Sequence, residues 1–133
     1  MQTQTKYTDA TRNRPEGDRV IDAPFVFTDL EKYSGQLKKE DAWKKSDRNS
    51  ITVYKTTETT IVLTSLHKKA EIKDNAIDGL LTILVLDGAI EFSLEGYTQV
   101  LKKHQLMTIH SGVVHTIHAK EESTILLTTK TEI

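Results

Sequence analysis

From Ser50 onward the chain keeps to a two-residue period, and that alternation confines it to an antiparallel β fold. Fourteen of the nineteen threonines lie in this stretch, interspersed with Val, Ile and Leu, and branching at Cβ suits a pleated, half-buried surface. The pattern predicts strands at Ile51–Lys55, Thr60–Leu66, Leu80–Leu86, Ala89–Leu94, Thr98–Lys102, Leu106–Ile109, Val113–His118 and Thr124–Thr129. No stretch of helical periodicity separates them, so there is no room for the crossover that parallel pairing needs. Asp87-Gly88 and Glu95-Gly96 each stand between two of these runs. Asp-Gly is the two-residue hairpin signal, with positive φ expected at both central positions. Short strands joined this closely predict an all-β protein, a small antiparallel β-barrel or jelly roll.

Ahead of the strands, Thr28-Asp-Leu-Glu31 has the form of a capping box, and Leu30, Tyr33 and Leu37 follow at i, i+3 and i+7. This predicts a short helix over about 29–39 that closes an end of the sheet structure. Trp43, in the charged stretch from Lys38 to Arg48, is expected to lie against the barrel. Residues 1–22 form a polar arm, with basic Lys6, Arg12, Arg14 and Arg19 against acidic Asp9, Glu16, Asp18 and Asp22. Such a segment cannot bury enough apolar surface to order itself, so it is either mobile or laid along a surface. Residues 23–133 are then a single domain.

Composition narrows the partners. The 133 residues carry 18 Lys+Arg against 19 Asp+Glu, a net charge of -1, which calls for neither nucleic acid nor an anionic membrane. The Lys pairs 38–39, 44–45, 68–69 and 102–103 mostly have acids close by and read as a mixed solvated surface. The absence of cysteine excludes thiol nucleophiles, disulfides and thiolate metal sites. Leu80–Leu86 is the longest apolar run and is too short to span a bilayer, and the first residues lack a secretion signal, so a cytoplasmic protein is expected.

The run from Leu66 to Leu127 resembles the cupin family, whose two motifs read G-x5-H-x-H-x3-E-x6-G and G-x5-P-x-G-x2-H-x3-N. In Ser111-Gly-Val-Val-His115, Gly112 and His115 stand where the second motif has its Gly and His. Gly88 matches the closing glycine of the first. Counting back from Gly88, Leu81 holds the Glu position, Ile77 and Asn75 the two His positions, and Lys69 the opening Gly. In the second motif His104 replaces Gly, His110 replaces Pro, and Ala119 replaces Asn.

The resemblance implies the cupin barrel and, in the family, a metal held by three His and one Glu. Here three of those four positions are Asn75, Ile77 and Leu81, so no metal and no cofactor are expected. His67, His104, His110 and His118 are read as scattered surface histidines, and Ser111 as a turn serine with no carboxylate near in sequence to orient a base. His115 shares a strand face with Val113 and Ile117, and Leu81 shares one with Ile83 and Val85. With Asn75 and Ile77, these residues line either a filled core or a pocket for a mostly apolar small molecule anchored by one polar group. The leading expectation is a metal-independent, non-catalytic binding or accessory module. The rivals are a metal-dependent isomerase or dioxygenase using His115 with recruited neighbours, and a structural protein with a filled barrel. The resemblance also implies a homodimer, here held partly by the arm, with Val20 and Ile21 as its anchors.

Overall fold

A computed structural model describes residues 6–7 and 19–131 of the chain. Eleven strands and two short helices follow in the order β1 (Lys6–Tyr7), β2 (Val20–Asp22), α1 (Leu30–Leu37), α2 (Asp41–Lys45), β3 (Arg48–Lys55), β4 (Thr59–Leu66), β5 (Glu71–Asn75), β6 (Leu80–Asp87), β7 (Ala89–Leu94), β8 (Tyr97–Lys102), β9 (Leu106–Ile109), β10 (His115–Ala119) and β11 (Ser123–Lys130). They form a five-stranded sheet in the order β3-β4-β11-β6-β9, a four-stranded sheet β5-β10-β7-β8, and the ribbon β1-β2. Every pairing is antiparallel. The expected jelly roll is present, as two facing sheets rather than a closed ring.

Strand alternation sorts the side chains into two cores. Leu81, Ile83, Val85, Ile125 and Leu66 of the larger sheet meet Ile90, Phe92, Leu101, Ile117 and Ala119 of the smaller one. The larger sheet is also apolar on its outer face, where Ile51, Val53 and Leu63 pack beneath Leu37, with Leu30, Tyr33 and Leu126 around them. The expected stripe Leu30, Tyr33 and Leu37 is therefore the packing face of α1. The helix covers this outer face instead of closing an end, because β4 and β11 carry apolar residues on both sides, β3 adds Ile51 and Val53 to the outer one, and both faces must be buried. Its N-cap is Asp29, whose carboxylate accepts from the Lys32 amide at 3.1 Å. The capping box read from Thr28 is off by one residue, since Asp29 is itself a strong cap.

The turn Asp87-Gly88 is a corner and not the expected hairpin, because β6 and β7 belong to different sheets. Gly88 alone has positive φ there, at 86°. A Cβ at this position would collide with the Glu122 carbonyl and Ser123, so the glycine lets the chain pass close under β11. Glu95-Gly96 is the true hairpin, with Leu94 opposite Tyr97. Strand β5 was missed by its pattern: Glu71–Asn75 holds one apolar residue, Ile72, as suits an edge strand guarded by charge. Trp43 lies down as expected, on α2, stacked on His67 with ring centroids 3.5 Å apart. Most of the polar arm lies outside the described residues. Its end does not: β2 pairs with β1 and lies beside β3, and the Arg19 guanidinium donates to the Thr52 carbonyl at 2.6 Å and 3.1 Å.

Among the described residues, two of the three non-glycine residues with positive φ are Lys69, at 77°, and His104, at 71°. These are the two positions at which the resemblance calls for glycine. A side chain in the left-handed region costs about 1–2 kcal/mol, offset by the roughly 0.5–1 kcal/mol of chain entropy that glycine forfeits on folding. His104→Gly and Lys69→Gly should each therefore leave stability unchanged or raise it by up to about 1 kcal/mol, whereas Gly88→Ala should lower it by about 1–3 kcal/mol. Urea denaturation measures all three. A clear loss for both glycine replacements would show that these turns are not strained.

Candidate functional site

The two sheets do not close along the edges formed by β3 and β5, and a cleft of about 230 Å³ opens there. Its apolar walls come from Val62, Leu81 and Leu127 on the larger sheet and from Ile72, Ile77 and Ile117 on the opposite side. Five polar residues join them: Arg48, Ser50, Thr64, Asn75 and Thr129. The Ser50 and Thr64 hydroxyls are hydrogen-bonded to each other at 2.9 Å. Arg48 bridges the two edges. Its Nη2 donates to the Glu71 carbonyl of β5 at 2.6 Å, while Nε and Nη2 hold the Asp47 carboxylate at 2.9 Å and 3.0 Å. The Arg48 hydrogen bond holds the Asp47 carboxyl below the usual carboxylate range, and the same bond pushes the Arg48 guanidinium further up, fixing its charge.

The expected pocket residues divide. Asn75, Ile77, Leu81 and Ile117 line this cleft together. Ile83 is fully buried in the filled part of the core, and Val113 packs at its margin. His115 is 2% exposed and does not line the cleft, but borders a separate cavity of about 370 Å³ with Asp74, Ser93 and Glu95. Sequence reasoning missed Arg48, Ser50, Thr64 and Thr129. The signal for the first two was the alternation of β3, which begins three residues before the expected Ile51 and puts Arg48 and Ser50 on the face opposite Ile51 and Val53.

His115 stands opposite Asn75 in the β5–β10 pairing, as the spacing of the two motifs requires. Its Nδ1 lies 2.9 Å from the Val113 carbonyl, which can only accept, so Nδ1 carries a proton. The ring stacks on Phe92 with centroids 5.4 Å apart, and Nε2 is buried with no partner among the described residues. A cupin metal does not fit this arrangement. The facing position offers a weak neutral amide oxygen, Ile77 and Leu81 offer no donor, and among the described residues no group of three His, Asp or Glu side chains converges. His104 and His110 are exposed, His118 pairs with Glu71 at 3.6 Å on the outside of the smaller sheet, and His67 is taken up by Trp43. Among the described residues, no helix is long and apolar enough to cross a membrane.

Solved structures with this architecture include a cupin superfamily protein from Desulfitobacterium hafniense, at a TM-score of 0.62 and 16% identity over 64% of this chain and 78% of that one. An RmlC-like cupin from Shewanella frigidimarina gives 0.61 and 16% over 65% and 78%. KdgF from a Halomonas species gives 0.59 and 19% over 65% and 82%. No protein-family model matches the sequence, and no curated protein is similar to it. The chain has the cupin fold, and Asn75, Ile77 and Leu81 stand at three of the four ligand positions of the cupin motifs.

If His115 is a packing residue, its ring matters more than its nitrogens. His115→Ala should cost about 2–4 kcal/mol, by opening a cavity beside Phe92 and leaving the Val113 carbonyl unpaired. His115→Phe keeps the ring, removes the orphaned Nε2, and should cost less than about 1.5 kcal/mol. Urea unfolding that finds the two equally costly would mean that Nε2 has a polar partner in solution.

Proposed function

We propose that the protein is a metal-independent binding module that takes a small molecule into the cleft between β3 and β5. The cleft itself carries this reading: apolar walls from both sheets meet a few convergent polar groups, the composition typical of small-molecule sites. At about 230 Å³ it lies below the usual range of roughly 300–1,000 Å³, so the ligand is small. A catalytic reading has less support, because the described residues of the cleft include no carboxylate, imidazole or other group placed for proton transfer. Short aliphatic probes should shift the methyl resonances of Ile72, Ile77, Leu81, Ile117 and Leu127, before and after chelator treatment alike. Leu127→Trp, which fills the cleft, should abolish the shifts. Shifts that vanish with chelator and return with a divalent ion would instead favour the metal-dependent alternative.

A second copy of the chain is the partner this reading assigns to Phe25 and Phe27, which are 87% and 88% exposed. Residues 1–18 contain only Met1, Tyr7 and Ala10 as apolar residues and are poorly suited to cover them. Two phenylalanines supply about 300–500 Å² per protomer, a large part of the roughly 800 Å² per partner in a stable interface. Light scattering at tens of micromolar should give a dimeric mass for the full chain and a monomeric one for the Phe25→Ser, Phe27→Ser double variant. A monomeric wild-type chain would remove the dimer.

A further inference from the structure

Among the described residues, the cleft walls contain one cation, Arg48, and no carboxylate. Of the five N–H groups of that guanidinium, Nε and both Nη2 donors are committed to Asp47 and to the Glu71 carbonyl. The Nη1 amino group, with two donors, has no partner among the described residues. Asp47 and the β5 backbone therefore hold the guanidinium in place before any ligand arrives, which removes much of the ordering cost of using it. The neighbouring Ser50 and Thr64 hydroxyls are bonded to each other at the same wall. Asn75, across the cleft, adds an amide. The polar part of the site thus offers donors to an oxygen, while Ile72 and Leu81 are among the walls that suit a hydrocarbon body.

We propose that the cleft selects a small organic anion, with its carboxylate at Arg48 and a short aliphatic body against the apolar walls. This rests on the reading of the cleft as a binding site. Asp47 tunes the affinity: its carboxylate secures Arg48 but cancels part of the positive charge the ligand would meet. With a half-exposed side chain outside the cleft lining, it can be made neutral as Asn, whose amide oxygen still accepts a hydrogen bond from Arg48.

The test uses the full chain with labelled Ile and Leu methyl groups, titrated at pH 7 with butyrate, butyramide and 1-butanol. A hydrogen bond to an ionised group exceeds one between neutral partners by about 1 kcal/mol, so butyrate should bind about five- to tenfold more tightly than butyramide. Asp47→Asn should tighten butyrate about threefold and leave butyramide unchanged. Arg48→Gln, if folded, should erase the preference, and the Asp47→Asn arm stands without it. Butyrate binding no better than butyramide, or no gain for butyrate in Asp47→Asn, overturns the anion proposal while leaving the cleft as a binding site. Failure of all three probes to move any cleft methyl overturns both.

Discussion

The larger sheet has to bury both of its faces, and the rest of the structure follows from that requirement. Its inner side chains, Leu81, Ile83, Val85 and Ile125, demand a second sheet, and its outer ones, Ile51, Val53 and Leu63, demand a helix. Transfer of apolar area out of water yields about 25 cal/mol per Å², so neither face can stay wet at a total stability of about 5–15 kcal/mol. The result is a three-layer stack of α1, five strands and four strands. The facing sheets are left unjoined where β3 and β5 are edges. The cleft is this geometric remainder, and Arg48 is the side chain that ties its two lips.

The strands were legible in the sequence because alternation records which face of a strand is buried. All eight expected strands are present, most with ends moved by one to three residues. Their sorting into sheets was not legible, and Asp87-Gly88 shows why. The dipeptide specifies a tight reversal, but whether the next strand returns to the same sheet depends on what lies beneath the turn, here Glu122 and Ser123. Strand β5 left no signal for a related reason. An edge strand with Lys73 and Asp74 exposed is held by its pairing with β10, and that pairing is set by residues some 40 to 47 positions away.

Of the seven residues expected to line a pocket, Asn75, Ile77, Leu81 and Ile117 reach one cleft, from β5, the loop after it, β6 and β10. His115 did not follow them, although its strand parity with Ile117 was read correctly and both are buried. Parity determines the face of a side chain but not its depth or its hydrogen bond. The Val113 carbonyl and the Phe92 ring draw the imidazole into packing.

Lys69 and His104 adopt left-handed backbone at the two positions where the cupin motifs call for glycine. At three of the four ligand positions of those motifs stand Asn75, Ile77 and Leu81. A metal centre supplies concentrated charge in the interior, and without it an apolar wall costs less than unpaired carboxylates or imidazoles. The charge that remains at the cleft lies at its edge, on Arg48, where Asp47 and the β5 backbone satisfy it. The result is one oriented guanidinium beside a hydrocarbon wall, each held by the protein's own contacts.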